Sequence, residues 1–105
     1  MSFTFNDYQA QAMSVRLPSA NELYAKFGLV GEVGELFGFL AKAIRDGMTM
    51  EHEQYIKKEL GDCLWFVAAV AADHGWTLED VAHSNINKLF SRRDRGTLQG
   101  FGDDR

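Results

Sequence analysis

The sequence predicts an all-α domain, and three features of the chain support this prediction. Apolar residues recur at intervals of three or four residues over long stretches, which is the spacing of a helix with one buried side. Residues that cap helices precede four of these stretches. No stretch has the alternating pattern of a β-strand, and no internal repeat is present. We therefore predict a single domain over residues 1–105, built as a bundle of four to five helices.

The first predicted helix lies close to the N-terminus. Thr4 or Asn6 can cap it, because a short polar side chain accepts a hydrogen bond from the free backbone N–H groups of the first turn. Pro18 ends the pattern, since proline lacks the N–H group that a helix interior needs. Ser19 and Asn21 then offer caps for a second helix.

The second predicted helix is long and rich in glycine. It runs to Arg45 or Asp46, where Gly47 provides the C-terminal stop. Each glycine inside it costs about 1 kcal/mol relative to alanine. The glycines concerned are Gly28, Gly31, Gly34 and Gly38. They allow another backbone or a ligand to approach closely, or they mark a kink, and the sequence leaves both interpretations open.

The third predicted helix begins after Thr49 and reaches His74, just before Gly75. Its residues 63–72 are apolar on every side, which indicates a helix that is buried all round. A chain with about four helices cannot easily surround one of them. We therefore expect a homo-oligomer in which this helix meets its copy in another subunit.

The fourth predicted helix has the clearest start. Thr77 and Asp80 match a capping box, in which the two residues satisfy each other's backbone N–H groups. The helical pattern continues to about Arg93. Residues 96–105 are rich in glycine and charge, and we interpret them as a loop or an arm.

Composition argues against several classes of partner. The formal net charge of −4 gives no reason to expect a nucleic-acid polymer. Cys63 is the one cysteine, so no internal disulfide can form, and a reducing compartment suits the chain. The N-terminus lacks the pattern of a signal peptide, and the longest apolar run is too short to span a membrane. A cytoplasmic protein is the default expectation.

Two pairs of acids are the most informative motif, Glu32 with Glu35 and Glu59 with Asp62. Acids three residues apart lie on the same face of a helix. Two such helices packed face to face would bring four carboxylates together, and these repel each other unless a cation lies between them. A single acid on a helix usually faces solvent, but only Asp62 has a basic residue, Lys58, at helical spacing. Carboxylate oxygens suit Mg²⁺ or Mn²⁺, so we expect a divalent metal site.

A basic cluster follows near the end of the fourth predicted helix. It consists of Lys88, Arg92, Arg93 and Arg95, with Asn87 beside it. Cations near a helix C-terminus are favourable by themselves. Beside a metal-carboxylate site they take a second meaning, because arginine and lysine bind phosphate oxygens. A metal ion with such a clamp suits the cleavage of phosphoanhydrides, whose transition state spreads negative charge over phosphoryl oxygens.

With these motifs the chain resembles the MazG-like all-α nucleoside triphosphate pyrophosphohydrolases of the small, single-domain type. The resemblance rests on the two acidic motifs in the settings GLVGEVGEL and KKELGDCLWFVAAVA. The opening FNDYQAQA, the segment NINKLFSRR and the tail RGTLQGFGDDR are similar as well. It implies hydrolysis of nucleoside or deoxynucleoside triphosphates between the α and β phosphates, for nucleotide-pool control or house-cleaning. It also implies a homodimer or a tetramer.

The same resemblance implies roles for individual residues. Glu32, Glu35, Glu59 and Asp62 would hold Mg²⁺, for which Mn²⁺ could substitute. Candidates for phosphate contacts are Asn87, Lys88, Arg92 and Arg95. Glu35 first and Glu32 second are the candidates to orient or deprotonate the attacking water. Gly31 stands where family members often have a further glutamate, so the role of that extra acid is not carried over.

Recognition of the base and the choice of substrate stay open. Tyr8, Gln9 and Trp65 can stack on or hydrogen-bond to a base, but aromatic residues at helical spacing more often belong to a core. Within the superfamily, a narrow activity on dUTP or dCTP and the cleavage of phosphoribosyl-ATP are alternatives. A non-catalytic helical oligomer, which binds nucleotide or a protein partner and uses the metal only for structure, is the alternative from another class.

Overall fold

The structure is a computed structural model that describes residues 2–105, and it confirms the all-α prediction. Met1, the first residue of the predicted domain, lies outside the described residues. Four helices make up the regular structure of this range: α1 (Phe5–Ser14), α2 (Glu22–Asp46), α3 (Met50–Asp73) and α4 (Leu78–Asp94). Residues 2–105 contain no strand. None of the described helices is both long and apolar enough to cross a membrane.

The helices start where the sequence predicts. At the beginning of each one a side chain accepts a hydrogen bond from a backbone N–H group of the first turn. These N-cap residues are Thr4, Asn21, Thr49 and Thr77. Gly47 ends α2 with φ of +99°, a conformation that favours glycine. The cap prediction succeeds because a cap depends only on residues within one turn of it.

Two local details differ from the prediction. α1 ends at Ser14, four residues before Pro18, and the chain between them is already outside the helix because proline disfavours the helical conformation just before it. At α4 the Asp80 N–H group donates to Thr77 Oγ1 at 3.1 Å, but no return bond to the Asp80 carboxylate is present in the described chain. Reciprocal capping boxes occur instead at the starts of α1 and α3.

α2 and α3 form an antiparallel hairpin, which is the central packing unit of the chain. At one end of the seam between them, the Phe66 ring lies over Gly28. At the other end, Phe39 and Tyr55 stack with their ring centroids 4.0 Å apart. Phe39 follows Gly28 on α2 by the same number of residues by which Tyr55 precedes Phe66 on α3. The two contacts therefore fix the register of the antiparallel hairpin.

α1 and α4 pack against α3 and against each other, whereas α2 packs against α3 alone among the described helices. The indole N–H of Trp65 donates to the Ala12 carbonyl of α1 at 3.1 Å. Arg16, just after α1, forms two hydrogen bonds of 2.9 and 3.0 Å with the Asp73 carboxylate at the end of α3. Hydrogen bonding to Arg16 holds the pKa of Asp73 below its usual value. These contacts hold α3 from the sides that α2 does not cover.

The single chain exposes more surface than a compact protein of its size. Its accessible surface is 7857 Å², whereas a folded monomer of 11.8 kDa exposes roughly 5,900 Å². The Cα radius of gyration is 16.5 Å, compared with about 13 Å for a compact chain of this length. In the part of α3 where burial on all sides is expected, Leu64 stays 36% exposed. One copy of the chain therefore leaves its apolar surface incompletely covered.

Gly28 is the glycine whose substitution tests the hairpin packing. A Cβ atom at Gly28 would overlap the Phe66 ring, so we expect Gly28→Ala to lower the free energy of unfolding by about 1–3 kcal/mol, the usual cost of overpacking. Urea or thermal unfolding measures the change. Gly61→Ala in α3 is the control, because a Cβ atom there meets open space, and it should be neutral or stabilising by up to about 1 kcal/mol. Equal losses in both variants would contradict this packing.

Candidate metal centre

Three carboxylates converge in the seam of the α2–α3 hairpin. Glu32 comes from α2, and Glu59 and Asp62 come from α3. One carboxylate oxygen of each residue lies within 4.8 Å of the other two. The register explains this convergence. Gly28 lies against Phe66, and one helical turn inward from that contact on each helix are Glu32 and Asp62.

Two of these side chains carry buried oxygens that have no partner. Glu59 is only 6% exposed, and Glu32 is half-buried. Oε2 of each residue is buried and accepts no hydrogen bond from residues 2–105. Within the same range, no basic side chain forms an ion pair with Glu32, Glu59 or Asp62. Because a buried charge without a counter-charge is costly, the site requires a proton or a cation.

The pKa of Glu32 reflects this requirement, because its surroundings raise it to about 7. Burial is the largest cause, and the charges of Glu35 and Asp62 and the nearby Glu59 carboxyl group add to it. All four side chains involved are acids, so the chain supplies no compensating cation of its own. A cluster of carboxylate oxygens is the ligand set that Mg²⁺ and Mn²⁺ prefer. The residues present therefore fit the divalent metal that the sequence predicts.

Glu35 is the predicted ligand that does not belong to the group of three. Its side chain is on the exposed part of α2. Its charge is nevertheless the largest cause, after burial, of the raised pKa of Glu32, which indicates that the Glu35 carboxylate lies at the rim of the site. The structure thus brings three of the four predicted carboxylates together, and their roles as ligands stay predictions.

The basic cluster contacts the C-terminal segment instead of the carboxylates. Arg92 is buried, and its Nη2 donates to the backbone carbonyl of Asp103 at 2.6 Å. Lys88 and Arg92 each lie 3.3 Å from the Asp103 carboxylate. These cations lower the pKa of Asp103, chiefly through its hydrogen bond with Lys88. Arg95 donates to the backbone carbonyl of Arg105 at 3.0 Å.

The sequence predicts the basic cluster beside the acids, but within the described part of one chain the two sets are not paired. The physical reason is that residues 96–105 turn back on α4, with positive φ angles at Gly96, Gly100 and Gly102. Asn87 lies exposed on α4 and is free of this segment's hydrogen bonds in the described range. Phosphate binding by the predicted residues Asn87, Lys88, Arg92 and Arg95 stays a prediction.

Gln9, a candidate for base recognition, uses its amide group within the fold. Its Nε2 donates to the carbonyl oxygens of Ala68 at 3.2 Å and Trp76 at 3.1 Å. Its Oε1 accepts from the Leu78 N–H group at 2.9 Å. These bonds fasten α1 to α3 and to the start of α4. Since both ends of the amide are engaged, the structure gives Gln9 a structural role and does not support the expected contact with a base.

Aromatic side chains line a pocket that includes two of the acids. The residues around it are Tyr24, Glu32, Asp62, Trp65 and Phe66. Trp65 is therefore a base-binding candidate that lies beside the carboxylates. Sequence reasoning missed Tyr24, although its position eight residues before Glu32, about two turns along the same helix, is a signal that could have identified it.

Two further tyrosines lie at different ends of the acid cluster. Burial, and secondly the charge of Asp62, raises the pKa of Tyr8, which also lines a neighbouring groove. The pKa of Tyr55 is raised chiefly by the charge of Glu59. Tyr8 is one of the predicted base contacts, whereas Tyr55 was missed. Its spacing of four residues from Glu59 is the signal in the sequence.

The chain matches one protein family over most of its length. A model of the MazG nucleotide pyrophosphohydrolase domain matches residues 21–97, a span that contains all the acids of the site. The Gene 37 protein of Mycobacterium phage L5 is 44% identical over 85 residues, which cover 78% of this chain and 75% of the relative. No solved structure matches the chain.

The acid cluster should make folding depend on pH when no metal is bound. The pKa of Glu32 is about 7 in the folded chain, above its ordinary value of 4.5. The folded state therefore binds more protons between these values, and the free energy of unfolding decreases as the pH rises from about 4.5 to 7. We expect Glu32→Gln to weaken this decrease and to raise the melting temperature above pH 7 in EDTA. Thermal unfolding over this pH range measures both effects.

Glu53→Gln is the matched control for Glu32→Gln, because it neutralises an exposed glutamate of α3 outside the cluster. The pH dependence of its unfolding should follow that of the unmodified chain. If the two variants behaved alike, the carboxylates would not be coupled in the way their geometry indicates.

Proposed function

This chain belongs to the MazG nucleotide pyrophosphohydrolase domain family, and from this premise we propose that it hydrolyses nucleoside or deoxynucleoside triphosphates between the α and β phosphates. The products would be a nucleoside monophosphate and pyrophosphate, in a role of nucleotide-pool control or house-cleaning in the cytoplasm. The observation that supports the proposal most is the pair of buried oxygens on Glu32 and Glu59 that no described residue neutralises. Burying two such oxygens without a counter-charge is costly, and a bound divalent cation would offset that cost.

The proposed cofactor is Mg²⁺, with Mn²⁺ as a substitute. Glu32, Glu59 and Asp62 would hold it, with Glu35 as a further ligand from the rim. When bound, the ion would neutralise charge on phosphoryl oxygens and lower the pKa of a water molecule. The all-oxygen donor set supports this choice over Zn²⁺ or copper, which prefer nitrogen and sulfur ligands.

Glu35 is the proposed group that orients the attacking water, and Glu32 is the second candidate. The Glu35 side chain is exposed at the rim, so a water molecule and the triphosphate can both reach its carboxylate. In the proposed step the water oxygen attacks a phosphorus atom and its proton passes to a carboxylate oxygen. The bond from that phosphorus to the oxygen bridging the α and β phosphates breaks, and the monophosphate and pyrophosphate separate.

The proposed phosphate contacts come from the end of α4. Lys88 is the first candidate, because its side chain is much more exposed than that of Arg92 although both bind Asp103. Arg92 could reach a phosphate only if the segment that carries Asp103 moved away, since its guanidinium is buried against that segment. Asn87 and Arg95 are further candidates on the same end of the helix.

The proposed contacts with the base come from the aromatic pocket beside the acids. Trp65 and Tyr24 both line it, and an aromatic face there could stack on a base while the phosphates reach the carboxylates. Tyr8, on the Asp62 side of the cluster, is a further candidate.

A test of the reaction is the release of products from a panel of canonical and modified nucleoside triphosphates, with Mg²⁺ and with EDTA. We expect equal amounts of monophosphate and pyrophosphate, formed only with the metal. Glu59→Gln should lower turnover by about 100-fold or more, because an amide holds a metal ion less well and the positive charge that stabilises the transition state is then lost, and Glu53→Gln should keep it. Circular dichroism checks that both variants remain helical.

Two outcomes would overturn the proposed reaction. Release of diphosphate and inorganic phosphate would show cleavage at a different bond. No turnover of any triphosphate, together with a large rise in melting temperature with Mg²⁺, would favour the alternative of a non-catalytic helical oligomer that the metal stabilises. The ion pairs of Lys88 and Arg92 with Asp103 support this alternative, because they occupy two of the predicted phosphate-binding side chains.

We also propose that the chain works as a homo-oligomer, at least a dimer, and that the outer face of α2 forms an interface. Apolar residues recur there every seven residues, and each is between 64% and 80% exposed: Leu23, Val30, Phe37 and Ile44. Four residues after the first three of them come Phe27, Gly34 and Ala41. Alternating steps of four and three residues are the pattern of a helix that packs against another helix of the same kind. A second copy of α2 could therefore pack against this stripe and form a dimer. A tetramer would need a second interface elsewhere on the chain.

The sequence predicts that α3 contacts its copy in another subunit, whereas the stripe of exposed apolar residues lies on α2. The excess of accessible surface over that of a compact monomer supports association of some kind. Within residues 63–72 of α3, Leu64 is the large apolar residue that stays exposed, and Leu60 lies just before that region. Contact between copies of α3 stays a prediction.

Phe37→Glu tests the proposed interface, because it puts a charge in the middle of the stripe. We expect it to convert the oligomer to a smaller species, measured by size-exclusion chromatography with light scattering. Phe101→Glu is the control, since Phe101 is 95% exposed and belongs to the C-terminal segment, outside α2. An unchanged mass for Phe37→Glu would exclude this face as the interface.

A further inference from the structure

The C-terminal segment, residues 96–105, is tied to α4 through its own backbone. Nη2 of Arg92 donates to the carbonyl oxygen of Asp103 at 2.6 Å. Nη2 of Arg95 donates to the carbonyl oxygen of Arg105 at 3.0 Å. Because both acceptors are backbone atoms of the segment, these two bonds do not depend on what the Asp103 side chain does.

The segment is also closed on itself by one side chain. The guanidinium of Arg105 donates to the carbonyl oxygens of Thr97 at 3.1 Å, Leu98 at 3.1 Å and Gly102 at 2.8 Å. Gly102 has a φ of +93°, a conformation that favours glycine. These contacts give the segment a shape of its own, so we expect it to keep that shape when the Asp103 side chain is changed.

This arrangement places one carboxylate oxygen between two cations. Oδ1 of Asp103 lies 3.3 Å from Nζ of Lys88 and 3.3 Å from Nη2 of Arg92. A phosphate oxygen is bound by the same two kinds of side chain. Lys88 is the first of the proposed phosphate contacts, and in the single chain an acid of the same chain already occupies it.

The Asp103 carboxylate can leave this place without a movement of the backbone. Its side chain is 83% exposed, and exposed side chains change rotamer within nanoseconds. Turned towards solvent, it would free the ammonium group of Lys88 for another anion. Arg92 would keep its bond to the Asp103 carbonyl, and its charge would still favour an anion beside Lys88.

We propose that Asp103 is an internal competitor for phosphate groups at the end of α4, whose carboxylate holds Lys88 until a phosphate group of the ligand displaces it. The inference rests on the proposed phosphate contacts and adds a regulation of them. A ligand binds more weakly by the fraction of molecules in which its site is free. An ion pair near the surface changes an equilibrium constant by up to about fivefold, and the charge of Arg92 adds to the hold on Asp103.

Asp103→Asn tests this competition, because it removes the negative charge and keeps the size of the side chain. Titration calorimetry with pyrophosphate in EDTA should give a dissociation constant about three- to tenfold lower than that of the unmodified protein. The KM for a hydrolysed triphosphate should fall by a similar factor, with kcat little changed. In a Lys88→Gln background, Asp103→Asn should bring no gain in pyrophosphate affinity.

Asp104→Asn is the matched control. Asp104 is the next residue of the same segment, it is exposed, and it forms no ion pair within residues 2–105. The variant therefore removes the same charge without freeing Lys88, and its pyrophosphate affinity should match that of the unmodified protein.

A measurement on the unmodified protein does not depend on how the variants fold. The carboxyl ¹³C signal of the Asp103 side chain should shift as pyrophosphate is added, because the carboxylate leaves Lys88. The corresponding signal of Asp104 should stay in place. An unmoved Asp103 signal at saturating pyrophosphate would overturn the inference.

The outcomes separate the inference from the proposed function. Weaker pyrophosphate binding by Asp103→Asn would overturn the competition and show that Asp103 positions Lys88 instead. Equal gains in Asp103→Asn and Asp104→Asn would overturn it as well, since the general charge of the segment would then explain them. No pyrophosphate binding by any of these proteins, with triphosphates still hydrolysed, would overturn the inference alone. The expected gain without hydrolysis of any triphosphate would support the inference and overturn the proposed function.

Discussion

The cost of burying carboxylates without a counter-charge governs this structure. Glu32 and Glu59 lie in the seam between two helices, and each has a buried oxygen with no partner in the described chain. Small domains are stable by only about 5–15 kcal/mol, so such a cost is a large share of the total. The metal-free chain limits it because Glu32, with a pKa of about 7, binds a proton near neutral pH. The carboxylates therefore lack a counter-charge from the described chain, and a divalent cation is the ligand we propose for them.

The rest of the fold can be understood as the support of this seam. The Phe66 ring over Gly28 and the stack of Phe39 on Tyr55 fix the register of the hairpin at both ends. Because the register is fixed, Glu32 of α2 comes to lie beside Glu59 and Asp62 of α3. α1 and α4 contribute by holding α3 from its other sides, through Trp65 among other contacts. The contacts that hold α2 against α3 thus also position the carboxylates. A methyl group added at Gly28 would therefore affect both the packing of the hairpin and the geometry of the acid cluster.

How much could be predicted from the sequence depends on the distance along the chain over which each interaction acts. The caps, the stop at Gly47 and the two acid pairs involve residues within four positions of each other, and local spacing was enough to find them. Gln9 differs because its partners lie 59 to 69 positions away. The engagement of Arg92 by Asp103 likewise depends on how the chain turns back after α4. Polar groups satisfied by distant backbone leave no periodic signal, so these roles required the structure.

α2 carries two stripes of residues with a seven-residue repeat, one in the seam with α3 and one on the outer face. Ala25, Glu32 and Phe39 follow each other at intervals of seven residues in the seam with α3, and Val30 and Phe37 do so on the outer face. The stripes are offset by two residues, which is about 200° around a helix, so they lie on nearly opposite sides. Glu32 thus occupies a position that the pattern would otherwise fill with an apolar side chain. A carboxylate there weakens the inner packing, and the proposed cation would offset this cost. The proposed second copy would stabilise α2 through the outer stripe without involving the site. Metal binding and association would then support the same helix from opposite sides, by independent interactions.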